Sequence, residues 1–138
     1  MSKFKVGYTT GVFDMFHVGH LNILKKAKEQ CEFLIVGVST DEVVKNYKGG
    51  TPVIDYESRK AIVEAIKYVD LVVPQTSLDK LEAYKKYKFN ALFHGDDWKG
   101  TGMYNEIEKK LAEVGVQVIF IEHTKGISSS MLREKVNK

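Results

Sequence analysis

The sequence predicts a doubly wound α/β fold, five parallel strands alternating with helices packed on both faces of the sheet. Three observations predict it. The run Phe33-Leu34-Ile35-Val36-Gly37-Val38 is apolar without interruption, as expected of a parallel strand covered on both sides. Between such runs, apolar residues return at helical spacing. Strand and helix also alternate from one end to the other, with no repeat, linker or low-complexity tract, so residues 1–138 are expected to form a single domain.

Each element has its own signal. Val6–Thr10 reads as the first strand, followed by a turn over Gly11–Gly19. Leu21, Leu24, Ala27, Lys28 and Cys31 then recur at the spacing of a helix, and Phe33–Val38 is the second strand. Ser39–Tyr56 is polar, contains Gly49-Gly50-Thr51-Pro52, and is expected to be a surface loop. Ala61, Ile62, Ala65 and Ile66 predict a second helix, and Leu71-Val72-Val73 a third strand ended by Pro74. Leu78, Leu81 and Tyr84 suggest a third helix before a fourth strand at Ala91-Leu92-Phe93. Tyr104, Ile107, Leu111 and Val114 line a fourth helix, and Val116–Ile121 is the fifth strand. Ser128 or Ser129 would cap a last short helix running through Val136.

Composition narrows the function. Of 138 residues, 43% are hydrophobic and 28% charged, which suits a globular domain and not a disordered chain. The formal charge of +3 fits a protein that handles anionic small molecules. It is too weak to argue for a nucleic-acid or membrane partner. The single cysteine, Cys31, permits no internal disulfide and is expected to pack in the core. No signal-peptide h-region or transmembrane stretch is present, and the expected location is the cytoplasm.

In doubly wound sheets the ligand lies beyond the C-terminal strand ends, where strand order reverses. The segment after the first strand is therefore the one to inspect. Thr10-Gly11-Val12-Phe13-Asp14-Met15-Phe16-His17-Val18-Gly19-His20 leads directly into a helix. Unpaired N–H groups, the positive end of the helix dipole and a glycine without a side chain make this an anion site. His17 and His20 add directional donors whose charge titrates near neutral pH. Phosphoryl-type transfer needs little else, because its catalysis is mostly positioning and stabilisation of developing charge. A zinc pair lacks a third ligand at suitable spacing, so no protein-held metal site is expected.

The stretch Gly11–His20 resembles the G-x-F-D-x-x-H-x-G-H signature of the cytidylyltransferases, within the HxGH nucleotidyltransferase superfamily. Further segments are similar to that family in order along the chain. They are Val36–Glu42, Glu57–Lys60 with Ile66–Asp70, Gly95-Asp96-Asp97-Trp98-Lys99-Gly100, and Thr124–Ser130. The resemblance implies a Rossmann-like fold and transfer of CMP from CTP to a small phosphorylated polyol, glycerol 3-phosphate foremost, releasing pyrophosphate. It implies His17, His20 and Lys48 as catalytic residues. Nucleotide binding would fall to Thr10, Gly11, Phe13, Gly19, Asp97, Trp98, Thr124, Gly126, Ile127, Ser128, Ser129 and Ser130. Asp14, Arg59, Lys67 and His123 would face the acceptor, with Asp14 alternatively orienting the loop. His94 reads as a buried, hydrogen-bonded histidine. Mg²⁺ is expected to arrive on the nucleotide phosphates, and a homodimer is implied.

Two departures from the family pattern bear on the acceptor. His123 and Lys67 stand where the family carries arginine, and neither is the planar, always-charged fork that grips phosphate bidentately. Another phosphate or phosphonate acceptor therefore stays open. So do ATP in place of CTP and a nucleotide-binding regulatory module without catalysis.

Overall fold

The computed structural model describes residues 3–48, 50–95 and 102–122. Its elements are β1 (Phe4–Gly11), α1 (Val18–Glu29), β2 (Cys31–Ser39), α2 (Asp41–Lys48), α3 (Tyr56–Glu64), β3 (Leu71–Gln75), α4 (Lys80–Tyr87), β4 (Ala91–Gly95), α5 (Gly102–Glu113) and β5 (Gln117–Ile121). The five strands form one sheet in the order β3-β2-β1-β4-β5. Every pairing is parallel, as the alternating pattern predicts.

Side-chain alternation along the strands divides the core into two layers. Leu34, Val36 and Val38 of β2 point to one face, where Leu24 and Ala27 of α1 and Val63 of α3 cover them. Ile35 points the other way, into a layer with Tyr8, Val73, Leu92, Tyr104 and Leu111, packed by α4 and α5. Burying each such large apolar side chain contributes about 1.5–3 kcal/mol. Gly7 in β1 permits the closest approach on the first face. A Cβ there would lie 2.6 Å from the Phe93 ring and 2.8 Å from Cys31 Sγ, so only glycine fits. Among the described residues no helix is long and apolar enough to cross a membrane.

Three sequence expectations are corrected. The polar stretch after β2 is not all loop, because residues 41–48 form α2. Its start is set by Thr40, whose hydroxyl accepts from the Val43 N–H at 3.3 Å, and by Asp41 and Glu42 in the first turn. Pro74 does not end β3, which continues to Gln75 with Pro74 opposite Val38. β3 is the edge strand, so the missing N–H of proline costs no ladder bond on its open side. Cys31 opens β2 and does not belong to α1, although it is buried in the core as expected. The predicted last helix lies outside the described residues.

Candidate active site

β1 delivers Thr10 and Gly11 to the C-terminal edge of the sheet, and the chain then folds tightly before α1. Phe13 and Met15 hold φ values of 55° and 48°, a left-handed conformation that is costly for side chains of this size. Each such residue costs on the order of 1–3 kcal/mol and persists only where its surroundings fix it. Here the surroundings do. The Phe13 ring is buried against the core and lies 5.5 Å from His20 and 6.2 Å from Phe16. Asp14, also buried, accepts from the N–H groups of Val53 and Ile54 at 2.8 and 2.9 Å.

Arg59 completes the support from below. It is fully buried, and its Nη1 donates to the carbonyls of Val12 and Ser39, each at 2.7 Å. Nε donates to Ile54 O at 2.8 Å, and Nη2 pairs with Asp41 at 2.6 Å. One guanidinium thus ties the loop after β1 to the end of β2 and to the segment before α3. For Asp14 this placement favours the loop-orienting reading, and Arg59, expected at the acceptor, lies in this structure beneath the same loop. Both are buried there, Arg59 bonded to three carbonyls and to Asp41, and Asp14 accepting from two backbone N–H groups that tie it to the loop.

The two histidines build the helix start themselves. His17 is the N-cap of α1, and its Nδ1 accepts from the Gly19 N–H at 3.0 Å. His20, at the third helical position, accepts from the His17 N–H through its own Nδ1 at 3.1 Å. This is a reciprocal capping box with imidazoles in place of the usual Ser/Thr and Glu/Gln. An Nδ1 that accepts carries no proton, so each neutral ring bears its proton on Nε2. The rings stack with centroids 4.0 Å apart. The site therefore offers two adjacent Nε2–H donors beside unpaired helix N–H groups.

Both imidazoles are held neutral, which corrects the expectation of charge titrating near pH 7. Burial lowers the His20 pKa to about 4, helped by His17 and opposed by Asp14. Burial also lowers His17. His94, on β4, is lowered to about 4 by burial and by Lys80, against a hydrogen bond from the Gly95 N–H. An unfolded chain takes up these protons near the ordinary value of 6.5, the folded chain only near 4. Between those values the unfolded state binds more protons, so stability rises with pH. The urea midpoint should accordingly fall as pH drops from 6.5 towards 4. A flat profile over that window would contradict the burial of these rings.

The structure gathers Thr10, Gly11, Phe13, Gly19, His17 and His20 at the end of β1 and the start of α1. Lys67 is elsewhere. It is exposed on the turn between α3 and β3, at the N-terminal end of the strands, so within one chain it does not reach the histidines. The Lys48 side chain and Asp97, Trp98, His123, Thr124, Gly126, Ile127, Ser128, Ser129 and Ser130 lie outside the described residues. Lys80, which the sequence reading passed over among scattered lysines, is buried at the first position of α4 with Nζ donating to Thr10 Oγ1 at 2.9 Å. The available signal is its place on the segment that leads from β3 into α4, beyond a C-terminal strand end.

A family model described as cytidylyltransferase-like matches residues 8–135. The chain belongs to the cytidylyltransferase-like family. This cytidylyltransferase-like chain is 33% identical over 129 residues to a glycerol-3-phosphate cytidylyltransferase of Staphylococcus aureus (strain NCTC 8325 / PS 47), covering 93% of this chain and 92% of that one. It is 32% identical to the glycerol-3-phosphate cytidylyltransferase of Bacillus subtilis (strain 168), covering 93% and 94%. Among solved structures it resembles a lipopolysaccharide core biosynthesis protein from Thermoplasma volcanium GSS1, with a TM-score of 0.74 and 28% identity over 90% of this chain and 99% of that one.

Proposed function

We propose that this chain is a cytidylyltransferase that moves CMP from CTP to glycerol 3-phosphate, giving CDP-glycerol and pyrophosphate. The observation that carries the proposal is the paired Nε2–H donors at the α1 N-terminus, in a chain one-third identical along nine-tenths of its length to enzymes of that name. A phosphate oxygen of the acceptor attacks the α-phosphorus of CTP. As that bond forms, the bond from the α-phosphorus to the bridging oxygen breaks, and pyrophosphate leaves with the electron pair. The acceptor is already ionised, so no strong base is required. His17 and His20 donate to the phosphate oxygens on which charge grows, and as neutral donors they need no proton uptake to do so.

Among the described residues no cluster of His, Cys, Asp and Glu is arranged to hold a metal ion. Mg²⁺ enters with the substrate, carried in on the triphosphate. The reaction is placed in the cytoplasm, where nucleoside triphosphates are abundant, and the enzyme is proposed to work as a homodimer on small-molecule substrates.

The test is pyrophosphate release from glycerol 3-phosphate with CTP, ATP, UTP and GTP in turn, each with Mg²⁺. Release with CTP alone is expected. Release with ATP alone would replace the nucleotide in the proposal. CTP binding without release would replace the acceptor, and polyol and amino-alcohol phosphates would be screened next.

A further inference from the structure

β1 and β3 both flank β2 and do not pair with each other. On the face packed by α4 and α5, the Tyr8 side chain of β1 leans over β2. Its hydroxyl lies against Gly37, where a Cβ would come within 2.6 Å of the oxygen, so the ring fits only because residue 37 is glycine. Two positions further along the same face, Ser39 of β2 stands opposite Gln75 of β3. The Ser39 hydroxyl donates to Gln75 Oε1 at 2.7 Å.

Tyr8 and Gln75 each bury a polar atom that this arrangement does not satisfy. Tyr8 is 1% exposed and Gln75 5%. Among the described residues the Tyr8 hydroxyl has no hydrogen-bond partner, and the two N–H bonds of Gln75 Nε2 have no acceptor. Burial, reinforced by Tyr87, pushes the Tyr8 phenol well above its ordinary value, so its hydroxyl stays protonated and can both donate and accept. Buried polar groups without partners are rare in folded proteins, and two in one place call for a group between them.

The two side chains line one cavity of about 20 Å³, walled also by Pro74 and Tyr87 and bordered by exposed Thr76 and Lys86. A water needs about 10–15 Å³ of such space and roughly two to four polar partners. The cavity meets both needs and has no room for a phosphate or an organic group. Nε2 of Gln75 can only donate, so the occupant accepts there, and Tyr8 supplies the second bond. From this point a chain of bonds runs towards the histidines. Ser39 holds Gln75 through its hydroxyl and accepts from Arg59 through its carbonyl, and Arg59 in turn holds the Val12 carbonyl.

We propose that a single bound water bridges Tyr8 and Gln75, joining β1 to β3 across Gly37. The bridge belongs to the fold and does not rest on the reaction proposed above. A high-resolution crystal structure of the full chain should show one ordered water within about 2.5–3.2 Å of both Tyr8 Oη and Gln75 Nε2, and the Tyr8→Phe structure should lack it. Density that touches only one of the two groups, or either group bonded to a protein atom instead, overturns the proposal. Urea midpoints of Tyr8→Phe, Gln75→Met and the double variant test it in solution. The bond to Ser39 is lost in both Gln75 variants and cancels from the cycle. Each single variant should lower the midpoint. The double variant should lose clearly less than the two losses added together, because the water is lost only once. Losses that simply add refute the bridge.

Discussion

His17→Asn and His20→Gln should each lower kcat by about 10²–10³ while leaving the fold intact, an effect expected of removing one donor to a charge that develops in the transition state. The substitutions are chosen from the capping geometry. Asn is among the best N-cap residues, and its side-chain oxygen can take the Gly19 N–H that His17 Nδ1 now takes. Gln at the third helical position is a standard capping-box partner and can reach the N–H of residue 17 as His20 does. Both variants preserve the helix start and delete the Nε2–H. Alanine would delete both functions, adding about 0.5–2 kcal/mol of lost capping to any catalytic defect. Single-turnover rates at saturating CTP, read beside urea midpoints, separate the two contributions. A variant with wild-type stability and more than about a tenth of the wild-type rate would show that its histidine is a capping residue and no more.

The dual use of the histidines bears on what could be read from the sequence. Four of the five strands announce themselves by apolar runs, and their parallel arrangement follows from the helices between them. The helix start at His17 was visible because its signal is local: a strand, a turn, a glycine and two imidazoles within a few residues. What stayed hidden was less local or read too coarsely. α2 carries little apolar residue beyond Val43 and Val44, so periodicity alone does not reveal it, although Thr40 followed by Asp41 and Glu42 is a legible helix start. Pro74 is a strand terminator only inside a sheet, and the sequence does not say which strand is at the edge. The uses of Asp14, Arg59 and Lys80 depend on partners 39, 47 and 70 positions away, and no spacing rule reaches that far. Nearness to a motif in sequence does not distinguish a charge that faces substrate from one that supports the loop from beneath, as Asp14 and Arg59 do. Burial, which sequence spacing does not report, makes the difference.

Arg59 gives that difference its largest measurable consequence. Arg59→Met should destabilise the protein by about 3–5 kcal/mol, the range for removing one member of a buried charged network. Little of this comes from the ion pair itself, because Asp41 is 44% exposed and solvent screens it. Most comes from the carbonyls of Val12, Ser39 and Ile54, which lose their donors together. Arg59→Lys should recover only part of the loss, since a single ammonium cannot span acceptors that the planar fork reaches from three nitrogens. Urea midpoints measure this directly, and kinetics separate it from a role at the acceptor. An acceptor-binding arginine would leave stability alone and raise the KM for glycerol 3-phosphate. A loop-supporting arginine lowers the midpoint and reduces kcat, because the strained turn at Phe13 and Met15 loses the bond at Val12 that helps to hold it. Wild-type stability in Arg59→Met would mean that the turn before His17 supports itself, and the placement of both histidines would then need no buried cation beneath it.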